Sequence, residues 1–280
     1  MPELASLGPV SSLGLGAGPL GDERLDDAEA LRLVHAALDH GLTLIDTAPS
    51  YGASEQRLGH ALADRRARVL VSTKVGYGIP GEPDWTGPCI ARGIERACTL
   101  FGGYLDLVHL HSCGPDVLAR DDVHEALHRA RDAGQVRVLA YSGDGEGLRA
   151  ACAHSHFEVL QTSFNLVDQE AHAHVGNRGW LGKRTLMNAA FTREGEVSAD
   201  VAEYRRRFRE ASWPDEVVAD PVDVALRFAA FEGPHVALVG TSRRENLERL
   251  VAAWSRGPLD ESLVARLREV AAGHEWPGMI

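Results

Sequence analysis

The apolar positions of this chain alternate between two rhythms from one end to the other. Short, often β-branched runs predict strands at Leu13–Gly16, Thr43–Asp46, Val69–Lys74, Leu105–His111, Val136–Ser142, Glu158–Thr162, Gly179–Arg184 and His235–Val239. Between them lie longer segments with apolar residues every three or four positions, the period of a helix packed on one face. The segment Asp27–His40 carries Leu31, Val34 and Leu38 on one face. Asp26 and Glu29 stand in capping-box spacing before it, and Gly41 follows it. Val123–Ala133 stops at Gly134; a later helix opens on Asp220 with Pro221 in its first turn; the last, after Asp260, runs to Gly273.

Regular strand–helix alternation favours a parallel sheet with helices outside it, and eight strands favour closure into a (β/α)8 TIM barrel. No low-complexity linker divides the chain, so residues 1–280 are expected to form one barrel domain. Two interruptions stand out, Gly76–Pro88 with its glycines and prolines, and Thr185–Pro214 with a polar, helix-like stretch. Both follow strands, and in a barrel both overhang the same mouth.

Composition narrows the partners. A net charge of -11 repels nucleic-acid phosphates and anionic lipid, and the basic run Arg205–Glu210 is flanked by acids, as a solvated helix face would be. No apolar stretch is long enough to span a bilayer and no secretory signal is visible, so the cytoplasm is the expected location. Cys89, Cys98, Cys113 and Cys152 match neither a redox pair nor a zinc ribbon, and free thiols are expected. Of 29 basic residues only Lys74 and Lys183 are lysines. A lysine kept in an arginine-rich chain invites a chemical reason, because its pKa responds to burial whereas that of arginine does not.

Barrel enzymes carry their reactive groups at the C-terminal ends of the strands. That rule selects Asp46, Lys74, His111 and Ser142, with Tyr51 in the loop after the second strand. Such a set has a physical logic. An ammonium beside a phenol favours the phenolate and draws its pKa down from about 10, a carboxylate neutralises the buried ammonium, and a histidine orients a carbonyl oxygen.

The stretch "IDTAPSYGASEQRLG", the lysine in "VSTKVG", the histidine in "LDLVHLH" and the tail "ADPVDVALRFAAFEGPHVALVGTSRRENLERLV" resemble the aldo-keto reductase family in form and order, over roughly Leu13 to Val251. The resemblance implies NAD(P)H-dependent reduction of an aldehyde or ketone to an alcohol. It makes Tyr51 the general acid, Lys74 the group that lowers its pKa, Asp46 the partner of Lys74, and His111 the residue that positions the carbonyl. His109, one strand layer deeper, is then a barrel histidine.

The resemblance also implies the cofactor residues. Gly240, Ser242, Arg243, Arg244 and Asn246 lie where the last strand turns into a helix. Ser242 and Glu245 are in capping-box spacing, so a helix N-terminus and two arginines face a phosphate there, which favours NADPH with NADH as the alternative. Ser142 and Gln161 match the family's nicotinamide contacts, with Asn165 and Phe164 completing the second motif. Three positions depart from the pattern. Gly143 replaces the usual asparagine, with Asp144 as a candidate substitute; Lys183 stands roughly where a tyrosine stacks under the nicotinamide; Arg249 and Leu250 replace the usual adenine-holding Glu-Asn. A metal-dependent hydrolase, suggested by His109-x-His111, and a barrel that binds the cofactor to report redox state to a partner are the rival readings. No metal set is expected, and His154, His156, His172 and His174 read as exposed helix or turn residues.

Overall fold

The computed structural model describes residues 1–192, 195–274 and 276–278. Its parallel strands are β1 Leu13–Gly16, β2 Leu44–Asp46, β3 Leu70–Val75, β4 Leu105–His111, β5 Val136–Ser142, β6 Val159–Ser163, β7 Gly179–Lys183 and β8 Val236–Val239, and they close in chain order into a barrel. The eight runs read from the sequence are these strands, with ends shifted by at most a residue. Gly179–Arg184 is one residue too long: Arg184 leaves the strand at φ +56°.

Around the barrel lie α1 Asp27–Asp39, α2 Ser54–Ala61, α3 Gly87–Leu100, α4 Pro115–Leu118, α5 Asp121–Asp132, α6 Gly145–Ala151, α7 Ala199–Glu210, α8 Asp215–Ala219, α9 Pro221–Phe231, α10 Arg244–Ser255 and α11 Glu261–His274. Asp26 caps α1 by accepting from the N–H groups of Ala28 and Glu29, and Asp220 caps α9 through Asp223. The last helix runs through Gly273 rather than stopping there. Within Arg205–Glu210, Arg206 forms exposed ion pairs as expected. Arg207 instead turns inward, 3% exposed, and donates to the carbonyls of Val167 and Pro277.

Alternation along each strand divides the core in two. Outward positions such as Leu15, Ile45, Val71, Val108, Leu139 and Leu160 pack under the helices. Inward positions are apolar in the lower half, where Leu44, Leu107, Val138, Val159, Leu181 and Val236 cluster with Leu4 and Val10 of the N-terminal segment. Toward the C-terminal ends the inward residues turn polar: Asp46, Lys74, His109, Ser142 and Gln161 are all buried there. Register holds them level, with Lys74 beside His109, His111 beside Ser142, and Ser142 beside Gln161. A dry floor therefore carries a polar mouth.

Candidate active site

The loop after β2 is fastened before it presents any chemistry. Thr47 Oγ1 and Ser54 Oγ lie 2.8 Å apart, and Ser54 donates to the Ala17 carbonyl at 2.7 Å. Buried Glu55 accepts from Thr73 Oγ1 at 2.6 Å and pairs with Arg96. Tyr51 is pressed onto the preceding loop so closely that a Cβ on Gly21 would lie 1.7 Å from the Tyr51 carbonyl oxygen. Only glycine admits that approach. Thr47, Ser54 and Glu55 of the quoted stretch thus hold the backbone that positions Tyr51.

Lys74 is 2% exposed, and its ammonium has three N–H groups to place. One goes to Asp46 Oδ2 at 2.6 Å and another to the Thr47 carbonyl at 2.8 Å, and the ammonium lies 5.0 Å from the centre of the Tyr51 ring. Asp46 accepts in addition from Ser72 Oγ at 2.7 Å and Gln161 Nε2 at 2.8 Å. Burial raises the Asp46 pKa, but the Lys74 charge and these hydrogen bonds outweigh it and hold the carboxyl below its usual range. Burial works against the Lys74 charge too, and Asp46 and Tyr51 outweigh it, so the ammonium persists. At Tyr51 the balance differs from the one expected from the sequence. Burial raises the phenol pKa by more than Lys74 lowers it, and the group stays a protonated phenol.

The two histidines of β4 have different surroundings. His109 is fully buried, and its Nε2 lies 2.9 Å from Ser72 Oγ, which itself donates to Asp46; it therefore supports the carboxylate from below. His111 lines the mouth cavity, with Nδ1 2.9 Å from the Tyr77 hydroxyl and its ring stacked on Tyr77 at 5.3 Å. Burial, then Lys74 and Lys183, push the His111 pKa down to about 3, so its imidazole is neutral at physiological pH. The mouth cavity measures about 310 Å³ and is lined by Asp46, Tyr51, His111, Ser142, Gln161 and Lys183, among others.

The family model for the aldo/keto reductase family matches residues 12–272. The chain belongs to this family. It is 29% identical over 185 residues to an aldo-keto reductase of Bacillus subtilis, a match that covers 59% of this chain and 54% of that protein. The chain spans about half the length of the curated relatives it matches. Among solved structures, a putative aldo-keto reductase from Pseudomonas aeruginosa is 28% identical with a TM-score of 0.70, covering 91% of this chain and 94% of that one. An aldo/keto reductase from Klebsiella pneumoniae, determined with NADP and acetate, has the same fold, with a TM-score of 0.73 at 22% identity over 96% and 94% of the two chains.

This aldo/keto reductase has an altered far side to its mouth. Ser142 Oγ donates to Gln161 Oε1 at 2.8 Å, so these two residues are joined to each other and, through Gln161, to Asp46. The Asp144 carboxylate accepts from Ser163 N and Oγ and pairs with Lys183 at 2.9 Å, bracing β6 against β7. Gly143 itself is dictated by Tyr141, whose hydroxyl donates to the Cys113 carbonyl; a Cβ at 143 would sit 2.4 Å from that oxygen. Gly143→Asn should therefore overpack the site and cost about 1–3 kcal/mol of stability, read as a lower midpoint in thermal unfolding. An unchanged midpoint would show that Tyr141 can move aside.

A second cavity of about 290 Å³ is lined by Gly240, Thr241, Asn246, Arg249 and Leu250, among others, and meets the first at Gly240. The capping box expected here is not formed. Thr241 Oγ1 takes the Arg243 N–H at 3.1 Å, α10 begins at Arg244 with no side-chain cap, and Ser242 makes no cap. Arg243 and Arg244 are exposed, Arg244 paired with Glu248 at 2.8 Å, and neither lines the cavity; Arg249 does.

Three mouth residues escaped the sequence reading. Tyr77 is the aromatic of "GYG" in the loop after β3, where only its flanking glycines signal a turn. Arg184 and Asn188 line the first cavity from the loop after β7, at φ +56° and +52°, and Met187 and Ala189 share that left-handed region. Such backbone, costly without glycine, has no signature in the sequence and clusters at functional sites.

Proposed function

We propose that this protein is a nicotinamide-dependent reductase that converts an aldehyde or ketone to an alcohol. The observation that carries the reading is the buried Lys74 ammonium, paired with the Asp46 carboxylate and facing the Tyr51 phenol at the wall of the mouth cavity. The cavity pair suits an anionic dinucleotide. Nη1 of Arg184 is buried without an acceptor, a vacancy that a phosphate oxygen would fill. Ser142, Gln161 and Lys183 would hold the nicotinamide end, and Gly240, Thr241, Asn246 and Arg249 the other.

Bound there, a reduced nicotinamide supplies hydride to the carbonyl carbon. Tyr51 donates its proton to the carbonyl oxygen, and the phenolate left behind faces Lys74, whose charge and N–H stabilise it. Asp46 keeps Lys74 charged throughout. The Tyr77 hydroxyl donates to Ser50 Oγ at 3.2 Å and lies 2.9 Å from Nδ1 of His111, which fixes the imidazole ring beside the place of the substrate oxygen.

The test is consumption of NADPH and NADH, followed by absorbance, across a panel of aldehydes and ketones. Turnover supports the reading. Cofactor binding with no turnover on any carbonyl would sink it and favour a redox-reporting barrel, the reading toward which the departures at Gly143, Lys183, Arg249 and Leu250 point.

His111→Ala should reduce turnover by roughly 10²-fold while leaving unfolding nearly unchanged. His109→Ala should do the opposite, because it removes the support beneath Ser72 and Asp46. Steady-state kinetics and thermal unfolding of both variants read the two effects, and a reversed pattern would mean that His109 faces the substrate.

NADPH is the preferred cofactor in this account. Arg243 and Arg244 flank the start of α10 and Arg249 lines the pocket beside it, so a 2′-phosphate finds positive charge there. One charge-assisted contact contributes about 1.5–3 kcal/mol, at least a tenfold preference. Dissociation constants measured by protein fluorescence should favour NADPH, and the preference should shrink in at least one of Arg243→Ala, Arg244→Ala and Arg249→Ala. Equal wild-type affinities, or a preference intact in all three variants, would refute the assignment.

A further inference from the structure

Four histidines outside the mouth are brought together by the fold. His124 and His128 are four apart on α5 and so share one helix face, while His154 and His156 lie two apart in the connection between α6 and β6. All four are half-buried. The rings of His124 and His154 stack at 4.6 Å, and that of His156 stands edge-on to His124 and to His128, each at 4.8 Å. Buried Phe157 packs beneath them at 4.4 Å from His156, and backbone hydrogen bonds from His154 to Ala151 and from Phe157 to His154 hold the turn.

The hydrogen bonds orient one of these rings as a ligand. Nε2 of His124 lies 2.7 Å from the Leu118 carbonyl, which can only accept, so that nitrogen carries the proton and Nδ1 presents a lone pair. A backbone carbonyl fixing the far nitrogen is the usual second shell of a metal-bound imidazole. Nε2 of His156 is 3.1 Å from that lone pair. In a tetrahedral zinc site with Zn–N of 2.0–2.1 Å, neighbouring ligand nitrogens stand about 3.3 Å apart, so this pair already has the spacing of one edge. Ring nitrogens of His124, His154 and His156 all lie within 4.8 Å of one another, and a closure of about 1.5 Å brings the widest separation to that edge length.

We propose that His124, His154 and His156 form a binding site for a divalent metal of the zinc class, on the outer wall of the barrel and separate from the catalytic mouth. Imidazole nitrogen without a carboxylate selects borderline metals such as Zn²⁺ over Mg²⁺ and Ca²⁺. The metal would tie α5 to the segment that leads into β6. His128, whose Nε2 is buried with no partner, stands beside His156, one helical turn from His124.

The full chain, stripped with a chelator and dialysed, should take up one equivalent of Zn²⁺ in calorimetric titration, with a rise in its unfolding temperature, and should show no response to Mg²⁺. Co²⁺ in its place should give the intense visible absorption of a tetrahedral ion. His124→Ala and His156→Ala should each weaken Zn²⁺ binding by about 100-fold or more. His60→Ala, at an exposed position on α2, should not change it. His156→Gln, which keeps a polar side chain over Phe157, should lose binding as His156→Ala does, and its far-UV circular dichroism without metal checks the fold. No stoichiometric uptake by the wild type, or uptake retained by a folded His156→Gln, would overturn the assignment.

Discussion

Tyr51→Phe should lower turnover in carbonyl reduction by roughly 10²–10⁴ while leaving the affinity for the nicotinamide cofactor nearly unchanged. The substitution removes one oxygen. The ring, lying against Gly18 and facing Lys74 at 5.0 Å, keeps its place, so the mouth cavity retains its shape. What is lost is the proton that the carbonyl oxygen needs as hydride arrives, and among the described residues no other acidic O–H has a comparable position beside a buried ammonium. Single-turnover kinetics with saturating cofactor give the measurement. A variant keeping more than half of wild-type turnover, with the chemical step rate-limiting, would remove Tyr51 from the reaction.

Asp46→Asn should damage both stability and catalysis. Lys74 and Asp46 are 2% and 4% exposed and 2.6 Å apart, and removing one partner of such a pair leaves the other charge buried without compensation. The cost is about 3–5 kcal/mol. The amide keeps the volume of the carboxylate, so packing does not account for the loss. With its counter-ion gone, Lys74 gives up its proton more readily and no longer stabilises a phenolate, so turnover falls as well. The double variant Asp46→Asn/Lys74→Met separates the two effects: it removes the stranded charge, so denaturant unfolding should recover part of the stability while turnover stays low. If Asp46→Asn unfolded at the wild-type denaturant concentration, the pair would be solvated.

The barrel was legible because its signal is redundant. Eight apolar runs separated by helical segments of one period leave few other closures, and a one-residue error at Arg184 changes nothing in the topology. Asp46, Lys74 and His111 stand at one mouth because strand ends in a barrel converge whatever the loops do, and Tyr51, in the loop after β2, was singled out only by the stretch that contains it. Features that depend on loop backbone were not. Ser242 and Glu245 have the spacing of a capping box, yet the backbone turns one residue later: Thr241 Oγ1 holds the Arg243 N–H, Arg243 takes the N-cap place and Ser242 lies outside the helix. Gly143 reads as a lost contact until the Tyr141 phenol is seen in the space a side chain would occupy. The four outer-wall histidines come from two stretches whose meeting depends on how α5 packs beside the turn before β6, which no local pattern encodes.

The expectation that Lys74 would bring the Tyr51 pKa toward neutrality failed for a physical reason. Spacing reveals a neighbouring charge but not the depth of burial, and here burial is the larger influence. The correction gives the central claim its sharpest test. A proton donor works in its protonated form, so reduction is fully active below the pKa of the donor and is lost as pH rises through it. Tyr51 is raised above its ordinary value of about 10, His111 is held down to about 3, and Lys74 is raised, so none of the three changes charge in the neutral range. The single-turnover rate of NADPH oxidation by a carbonyl substrate, measured from about pH 6 to pH 11, is the direct measurement. This account predicts a plateau to about pH 9 and a fall above about pH 10; a titration centred near neutrality, with chemistry rate-limiting, would contradict it.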